Sequence, residues 1–218
     1  MKILAADTAL GACSVAVIDG GRILAHRFET MDRGHAEALA PMVDEAMRES
    51  SIGFGAIDRL AVTTGPGTFT GQRVGLAFMR GLRVALGKPL VGVTTLEAMC
   101  AAARAEANCD YAAAIHDAKR GEAYLAIISR ERVLLPPILV KLDDAASTIA
   151  AKLSSHAPVA LSGTAASIVG EKLGPQARVT SIRQPDALWV ARLAAPMPEP
   201  KDAPKPLYLR APDAKLPI

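Results

Sequence analysis

Two aspartates, Asp7 and Asp117, each close an apolar run and open a turn. Carboxylates brought to one cleft in this way could hold a hydrated magnesium ion and act on phosphate. Aspartate is also favoured in turns for its own backbone hydrogen bonding, which accounts for either one taken singly. Between them in the chain lies Gly65-Pro66-Gly67-Thr68-Phe69-Thr70-Gly71-Gln72-Arg73-Val74-Gly75. This segment follows a strand-like run, Leu60-Ala61-Val62-Thr63-Thr64, and leads into a buried-helix pattern, a context that often presents unpaired N–H groups to an anion. Neither familiar phosphate loop fits it. The P-loop needs four residues between its glycines, then Lys and Ser or Thr; here Gly67 and Gly71 enclose three, Gly65 and Gly71 enclose five, and Gln72-Arg73 follow. The dinucleotide fingerprint needs glycine where Thr70 stands. Locally the segment reads as a tight strand-to-helix turn that needs glycine for its backbone angles.

Other chemistries find less support. His26, His35, His116 and His156 form no H-x-x-x-H or H-E-x-x-H pair. His35-Ala36-Glu37 has the H-x-E of zinc deaminases without the P-C-x-x-C that would complete it. Cys13, Cys100 and Cys109 have no metal-like spacing, and so sparse and odd a set suggests buried thiols in a reducing compartment. Ser162-Gly163 does not complete a G-x-S-x-G elbow. A composition of 50% hydrophobic and 22% charged residues is ordinarily globular. A net charge of +3 is too small to imply nucleic-acid binding by itself, and aromatics at 4% are too few and not interleaved with basic residues. The N-terminal apolar run is too short for a signal peptide and no stretch spans a bilayer, so a cytoplasmic protein is expected.

The elements that would position these residues follow from periodicity. Residues 2–7, 13–18 and 22–29 read as a three-stranded antiparallel meander, with Asp19-Gly20-Gly21 as a hairpin turn. Over 34–49 the period becomes helical: Leu39, Met42, Val43, Ala46 and Met47 share one face, with Asp32 as the expected cap. A strand at 60–64, the glycine segment, a helix to about residue 86, a strand at 90–94 and a helix at 96–106 follow. The second helix is apolar nearly all round, so more than one side must be covered, by this chain or by another. In the second half, 111–116 and 122–129 read as strands about a turn, Leu134-Leu135-Pro136-Pro137 breaks the pattern, 143–154 reads as a helix, 159–162 as a strand and 187–195 as a helix. A proline-rich stretch from Pro196 to Pro206 is expected to run extended over the surface.

Together these pieces resemble one family. Ile3-Leu4-Ala5-Ala6-Asp7-Thr8-Ala9, Cys13-Ser14-Val15-Ala16, Arg33-Gly34-His35-Ala36-Glu37 and the segment from Gly65 to Gly75 are similar to the TsaB (YeaZ) proteins. So are Asp117-Ala118-Lys119-Arg120-Gly121-Glu122-Ala123-Tyr124 and Pro206-Leu207-Tyr208-Leu209-Arg210. The resemblance implies an α/β fold of the two-lobed actin, Hsp70 and sugar-kinase superfamily. Its first lobe, 1–98, would hold a mixed sheet with helices, and its second, 99–218, would be smaller and less regular with a proline-rich tail. It implies a non-catalytic subunit in the synthesis of threonylcarbamoyladenosine beside the tRNA anticodon, pairing with the metal-bearing transferase TsaD. A TsaE-like ATPase would join the pair, TsaC would supply the carbamoyl-adenylate, and ATP and the catalytic metal would belong to the partner subunits.

The resemblance also assigns residues. TsaD carries an H-M-E-G-H-like metal motif where this chain has Thr95-Leu96-Glu97-Ala98-Met99, so Thr95 and Met99 stand in the histidine places, and neither is a normal ligand for a catalytic metal. No catalytic or metal-binding residue is therefore expected. Asp7, Thr8, Gly65 and Gly67 would line a vestigial nucleotide cleft. The first two helices would dock on TsaD, with His35, Leu39, Met42, Val43, Met47, Arg73, Phe78, Met79 and Leu82 at the contact, and the same surface could pair two copies of the chain. Contact with tRNA would come only through the complex. Two alternatives remain open at this point: a sugar-kinase-like ATPase or phosphotransferase built on Asp7, the glycine segment and Asp117, and a glycoprotease-like peptidase of the kind that the family's naming suggests.

Overall fold

The structure, a computed structural model, describes residues 1–153 and 157–210. Strands β1 (Lys2–Asp7), β2 (Ala12–Asp19) and β3 (Arg22–Thr30) form the antiparallel meander, turned at Gly20 with φ of 59°. Strands β4 (Arg59–Thr63) and β5 (Leu90–Val93) extend it in parallel, giving the order β3-β2-β1-β4-β5. β1 is buried on both faces, and its period of two divides its side chains between two cores. Leu4 and Ala6 meet helices α1 (His35–Ser50) and α2 (Phe69–Leu86), whereas Ile3 and Ala5 meet α6 (Ala187–Ala194).

The second sheet repeats this plan. Strands β6 (Tyr111–Lys119), β7 (Glu122–Ile128), β8 (Val133–Lys141), β9 (Val159–Ser162) and β10 (Ala177–Val179) lie in the order β10-β9-β6-β7-β8, again three antiparallel strands with two parallel additions. The shorter helices α4 (Ala145–Ala150) and α5 (Ala166–Leu173) pack on one face, against Ile115, Leu125 and Leu161. Helix α3 (Thr95–Ala107) covers the other, setting Leu96, Met99 and Cys100 against Ala112, Ala114 and Ala126. Each lobe thus contributes its third helix to the junction, α3 on the second sheet and α6 on the first.

Several sequence expectations change in detail. The cap of α1 is Gly34, with φ of 93° and no side-chain hydrogen bond, so Asp32 does not serve. The prolines at 136 and 137 do not break the chain but lie within β8, which is an edge strand. There their missing N–H groups interrupt no inner ladder, and pairing with β7 shifts register across them. Residues 117–119 belong to β6 rather than to the following turn, and α5 and β10 had no counterpart in the pattern. His156 and residue 154, the end of the expected helix, lie outside the described residues.

Helix α2 ends as anticipated, at Gly87 with φ of 63°. Within it, Gly81 is exposed, and nothing lies within 4 Å of where its Cβ would stand. Gly81→Ala is expected to stabilise the chain by about 0.5–1 kcal/mol through helix propensity alone. A rise in the thermal unfolding midpoint checks it.

Candidate functional site

Asp7 ends β1 with no exposed surface. Its Oδ1 accepts hydrogen bonds from the Thr63 hydroxyl at 2.5 Å and the Ala9 N–H at 3.2 Å, while Oδ2 has no partner. Burial pushes its pKa up to about 7; the two hydrogen bonds pull the other way, and the charge of Asp186 adds a small upward push. Beside it the Thr8 hydroxyl donates to the Gly71 carbonyl at 2.7 Å. The glycine segment is thereby clamped onto the turn after β1. The Thr68 N–H donates to the Ala9 carbonyl at 2.8 Å, the Gly71 N–H to the Thr68 hydroxyl at 3.0 Å, and the Gln72 N–H to the Thr68 carbonyl at 3.1 Å. Of the first amides of α2, that of Gly71 is thus capped by Thr68 and that of Gln72 closes the first helical turn, so the protein itself engages both donors.

The glycines are explained by the same contact. A Cβ on Gly67 would lie 2.2 Å from the Ala9 carbonyl oxygen, and one on Gly71 would lie 2.2 Å from that of Thr8. Gly65, with φ of 108°, accepts the Thr95 N–H at 2.8 Å and so also ties the start of α3 to the segment. Asp7, Thr8 and Gly65 are therefore sealed within a junction between strand ends, and Gly67 stands half-buried at its edge.

An open cleft of about 440 Å³ lies alongside, between the lobes. Leu10, Gly11, Gly67 and Thr68 line it from the first lobe, and His116, Asp117, Lys119 and Thr164 from the second. Burial pushes the His116 pKa down to about 4, so its ring is neutral at pH 7, and its Nδ1 has no partner. Asp117 turns to its own hairpin. Its carboxylate accepts the Lys119 N–H at 2.8 Å and pairs with Lys119 Nζ at 3.2 Å, contacts that hold it below the usual carboxylate range. Asp7 is enclosed and does not line this cleft, so the two aspartates do not assemble a magnesium site. Among the described residues the two remaining histidines are engaged: His26 Nε2 bonds the Asp186 carboxylate at 2.8 Å, and His35 Nε2 the Leu10 carbonyl at 2.8 Å. Among the described residues no group of three or more His, Cys, Asp or Glu could hold a metal, and no helix is long and apolar enough to cross a membrane.

Residues 22–172 match the profile of the family described as TsaD, tRNA N6-adenosine threonylcarbamoyltransferase. Over nearly its whole length the chain also superposes on YeaZ from Pseudomonas aeruginosa, with a TM-score of 0.77 and 29% identity over 95% of this chain and 99% of that one. The chain belongs to the TsaB/YeaZ family. The Escherichia coli TsaB protein, named for tRNA threonylcarbamoyladenosine biosynthesis, is 39% identical over 131 residues, 60% of this chain. The match spans little more than half of that relative, 56% of its length. A Caulobacter vibrioides tRNA N6-adenosine threonylcarbamoyltransferase is 41% identical over 83 residues, 38% of this chain and 23% of that protein. The two mixed five-stranded sheets, each of three antiparallel strands with two parallel additions, agree with the two-lobed α/β fold that the family resemblance implied.

In this TsaB/YeaZ-family chain the residues expected at a partner contact divide into two groups. Leu39, Met42, Val43, Met47 and Met79 are at most 8% exposed and pack in the chain's own first core. This corrects their assignment: the apolar face they share is the one turned onto the sheet, and only Met42 reaches a surface pocket. Phe78 and Leu82 are half-buried against the same core, and His35 is half-buried. Arg73 alone is well exposed. The outward face of α2 is carried by residues that the sequence reading did not single out, namely Phe69 (53% exposed), Ala77, Val84 (79%) and Ala85. Their signal was available as spacing, because 69, 73, 77 and 84 fall on one side of a helix. What hid it was the apolarity of both sides. Thr95 and Met99, in the places expected to hold histidines, are fully buried at the start of α3.

Proposed function

We propose that this chain is a non-catalytic subunit of the machinery that makes N6-threonylcarbamoyladenosine in tRNA, and that it works in the cytoplasm by docking on a TsaD-type transferase. The observation that carries the reading is that Thr95 and Met99, which stand where the resemblance to TsaD places metal-binding histidines, are both fully buried in a chain matching the transferase family. Such a chain retains the scaffold and depends on a metal-bearing relative for chemistry. The docking face is the outward side of α2, with Phe69, Ala77, Val84 and Ala85 as its apolar surface and Arg73 at its edge. A TsaE-like ATPase joins the pair, tRNA is met only through the complex, and two copies of this chain use the same face when the partner is missing.

The burial pattern decides how this is tested. Met79→Glu would place a charge in the core and unfold the chain whatever the partner does. Val84→Glu and Ala77→Glu charge the outward face alone. Each is expected to weaken binding to the TsaD-type protein by about 30-fold or more, the effect of losing ~2 kcal/mol at an interface centre, with an unchanged thermal midpoint. Undiminished co-purification of both variants with that partner would overturn the docking face.

A further inference from the structure

The stretch 204–210 forms neither helix nor strand, yet it is bonded to both lobes. On the first lobe Pro204 lies over Gly92 of β5, where a Cβ would stand 2.6 Å from the proline ring, so glycine there leaves room for the tail. Arg80 Nη2 donates to the Pro204 carbonyl at 2.5 Å, and the Leu207 N–H donates to the Thr64 carbonyl at 2.7 Å, just past the end of β4. The Tyr208 ring stacks on Phe69 with centroids 5.9 Å apart, and its hydroxyl accepts from Arg73 Nε at 2.8 Å. The Arg73 guanidinium in turn lies 3.5 Å from the Phe69 ring centroid, a cation–π contact. Two residues later the chain has reached the other lobe. Arg210 Nη1 donates to the Ala118 carbonyl at 2.9 Å, and Nη2 pairs with the Glu122 carboxylate.

These two anchorages stand on opposite walls of the cleft. Ala118 and Glu122 belong to the β6–β7 hairpin, whose Asp117 and Lys119 line the cleft from the second lobe. Gly67 and Thr68, directly before Phe69, line it from the first. We propose that residues 204–210 are a strap that holds the two lobes at one opening, fastened to α2 by Tyr208 and to the β6–β7 hairpin by Arg210. The lobes also meet through α3, packed on the second sheet, and α6, packed on the first, and the strap is a further tie at the cleft walls. Its second-lobe end is the releasable one. It rests on one side chain, through the Arg210 bond to the Ala118 carbonyl and an ion pair whose side chains are 24% and 35% exposed, a kind that holds modestly. The first-lobe end combines a backbone hydrogen bond, a ring stack and two arginine contacts. The strap's first-lobe anchor shares Phe69 and Arg73 with the proposed docking face, and the test below reads the chain without a partner.

The test uses the full chain with spin labels on Glu37→Cys in α1 and Ser167→Cys in α5, both exposed, against three buried native cysteines. Pulsed dipolar spectroscopy of the labelled parent is expected to give one narrow distance distribution. Arg210→Ala is expected to broaden it and shift it to longer distance, and Tyr208→Ala to do the same. Arg130→Ala breaks a more exposed ion pair with Asp110, confined to the second lobe beyond the opposite end of β7, and is expected to change nothing. Hydrogen exchange at the Leu207 amide is expected to speed up at least tenfold in Tyr208→Ala. Distance distributions in Arg210→Ala and Tyr208→Ala that match the parent would overturn the strap, even with faster exchange at Leu207, since the tail would then come loose without moving the lobes. Should Tyr208→Ala fail to fold, Arg210→Ala decides alone.

Discussion

Asp7→Asn is expected to unfold at a higher temperature than the parent chain at pH 8 and at a lower temperature at pH 4. The folded chain holds the Asp7 carboxyl at about 7, against 3.8 for the free group, because burial disfavours its charge. A carboxyl whose pKa is raised by folding binds its proton more tightly in the folded state. It costs nothing below the unfolded pKa, and the cost builds as pH rises from about 4 to 7 and is constant above. Over that span the linkage is roughly 4 kcal/mol. Asparagine is neutral throughout, and its Oδ1 can still accept from Thr63 and Ala9. Its amide group would replace the unpartnered Oδ2, and a buried donor left unpaired costs about 1–3 kcal/mol. The net gain at pH 8 is then about 1–3 kcal/mol, several degrees in a chain of this size. Melting both proteins from pH 4 to 8 checks it; a difference that does not vary with pH would mean that Asp7 is not held as an enclosed, titrating acid.

How far the sequence carried depends on whether a residue's role is local. The meander was legible because alternation over 2–7 and the Asp19-Gly20-Gly21 turn are statements about neighbours. Helices α1 to α3 were placed within a few residues by the apolar periodicity of their sequences. β8 was hidden because Pro136 and Pro137 are forbidden in an inner strand and tolerated only at an edge, and edge position is a property of the finished sheet. β10 is three residues long and α5 eight, too short for a period to declare itself. The site was legible in kind and not in orientation. Periodicity grouped Leu39, Met42, Val43 and Met47 correctly on one face of α1, but the group is turned inward. On α2, with apolar side chains all round, pattern cannot say which side meets the sheet. The strap was beyond reach, because Tyr208 and Arg210 find partners 135 and 88 residues away.

The glycine segment is where a structural and a ligand-binding role predict different experiments. In a phosphate loop, glycine lets a ligand oxygen approach the backbone, so adding a methyl group chiefly harms binding. Here the space beside Gly71 is occupied by the Thr8 carbonyl oxygen, 2.2 Å from where a Cβ would be, and by the Thr68 hydroxyl at 2.6 Å. Neither is the far end of a flexible side chain. Gly71→Ala must therefore push the start of α2 away from the turn after β1, straining the Thr8 hydroxyl's bond to the Gly71 carbonyl and the Thr68 cap together. Overpacking of this kind costs about 1–3 kcal/mol, and losing the bonds brings the total to roughly 3–5 kcal/mol. The helix propensity that alanine restores, about 1 kcal/mol, does not offset it. Gly67→Ala is expected to behave alike through the Ala9 carbonyl. Because Gly81→Ala, in the same helix, is expected to stabilise, propensity cannot account for the opposite signs. Urea unfolding of the chain without any nucleotide reads the difference. Parent-like stability of Gly71→Ala would show that the loop is not clamped to β1 and that its N–H groups are free for an anion, whereas a large loss shows that these glycines are used up inside the fold.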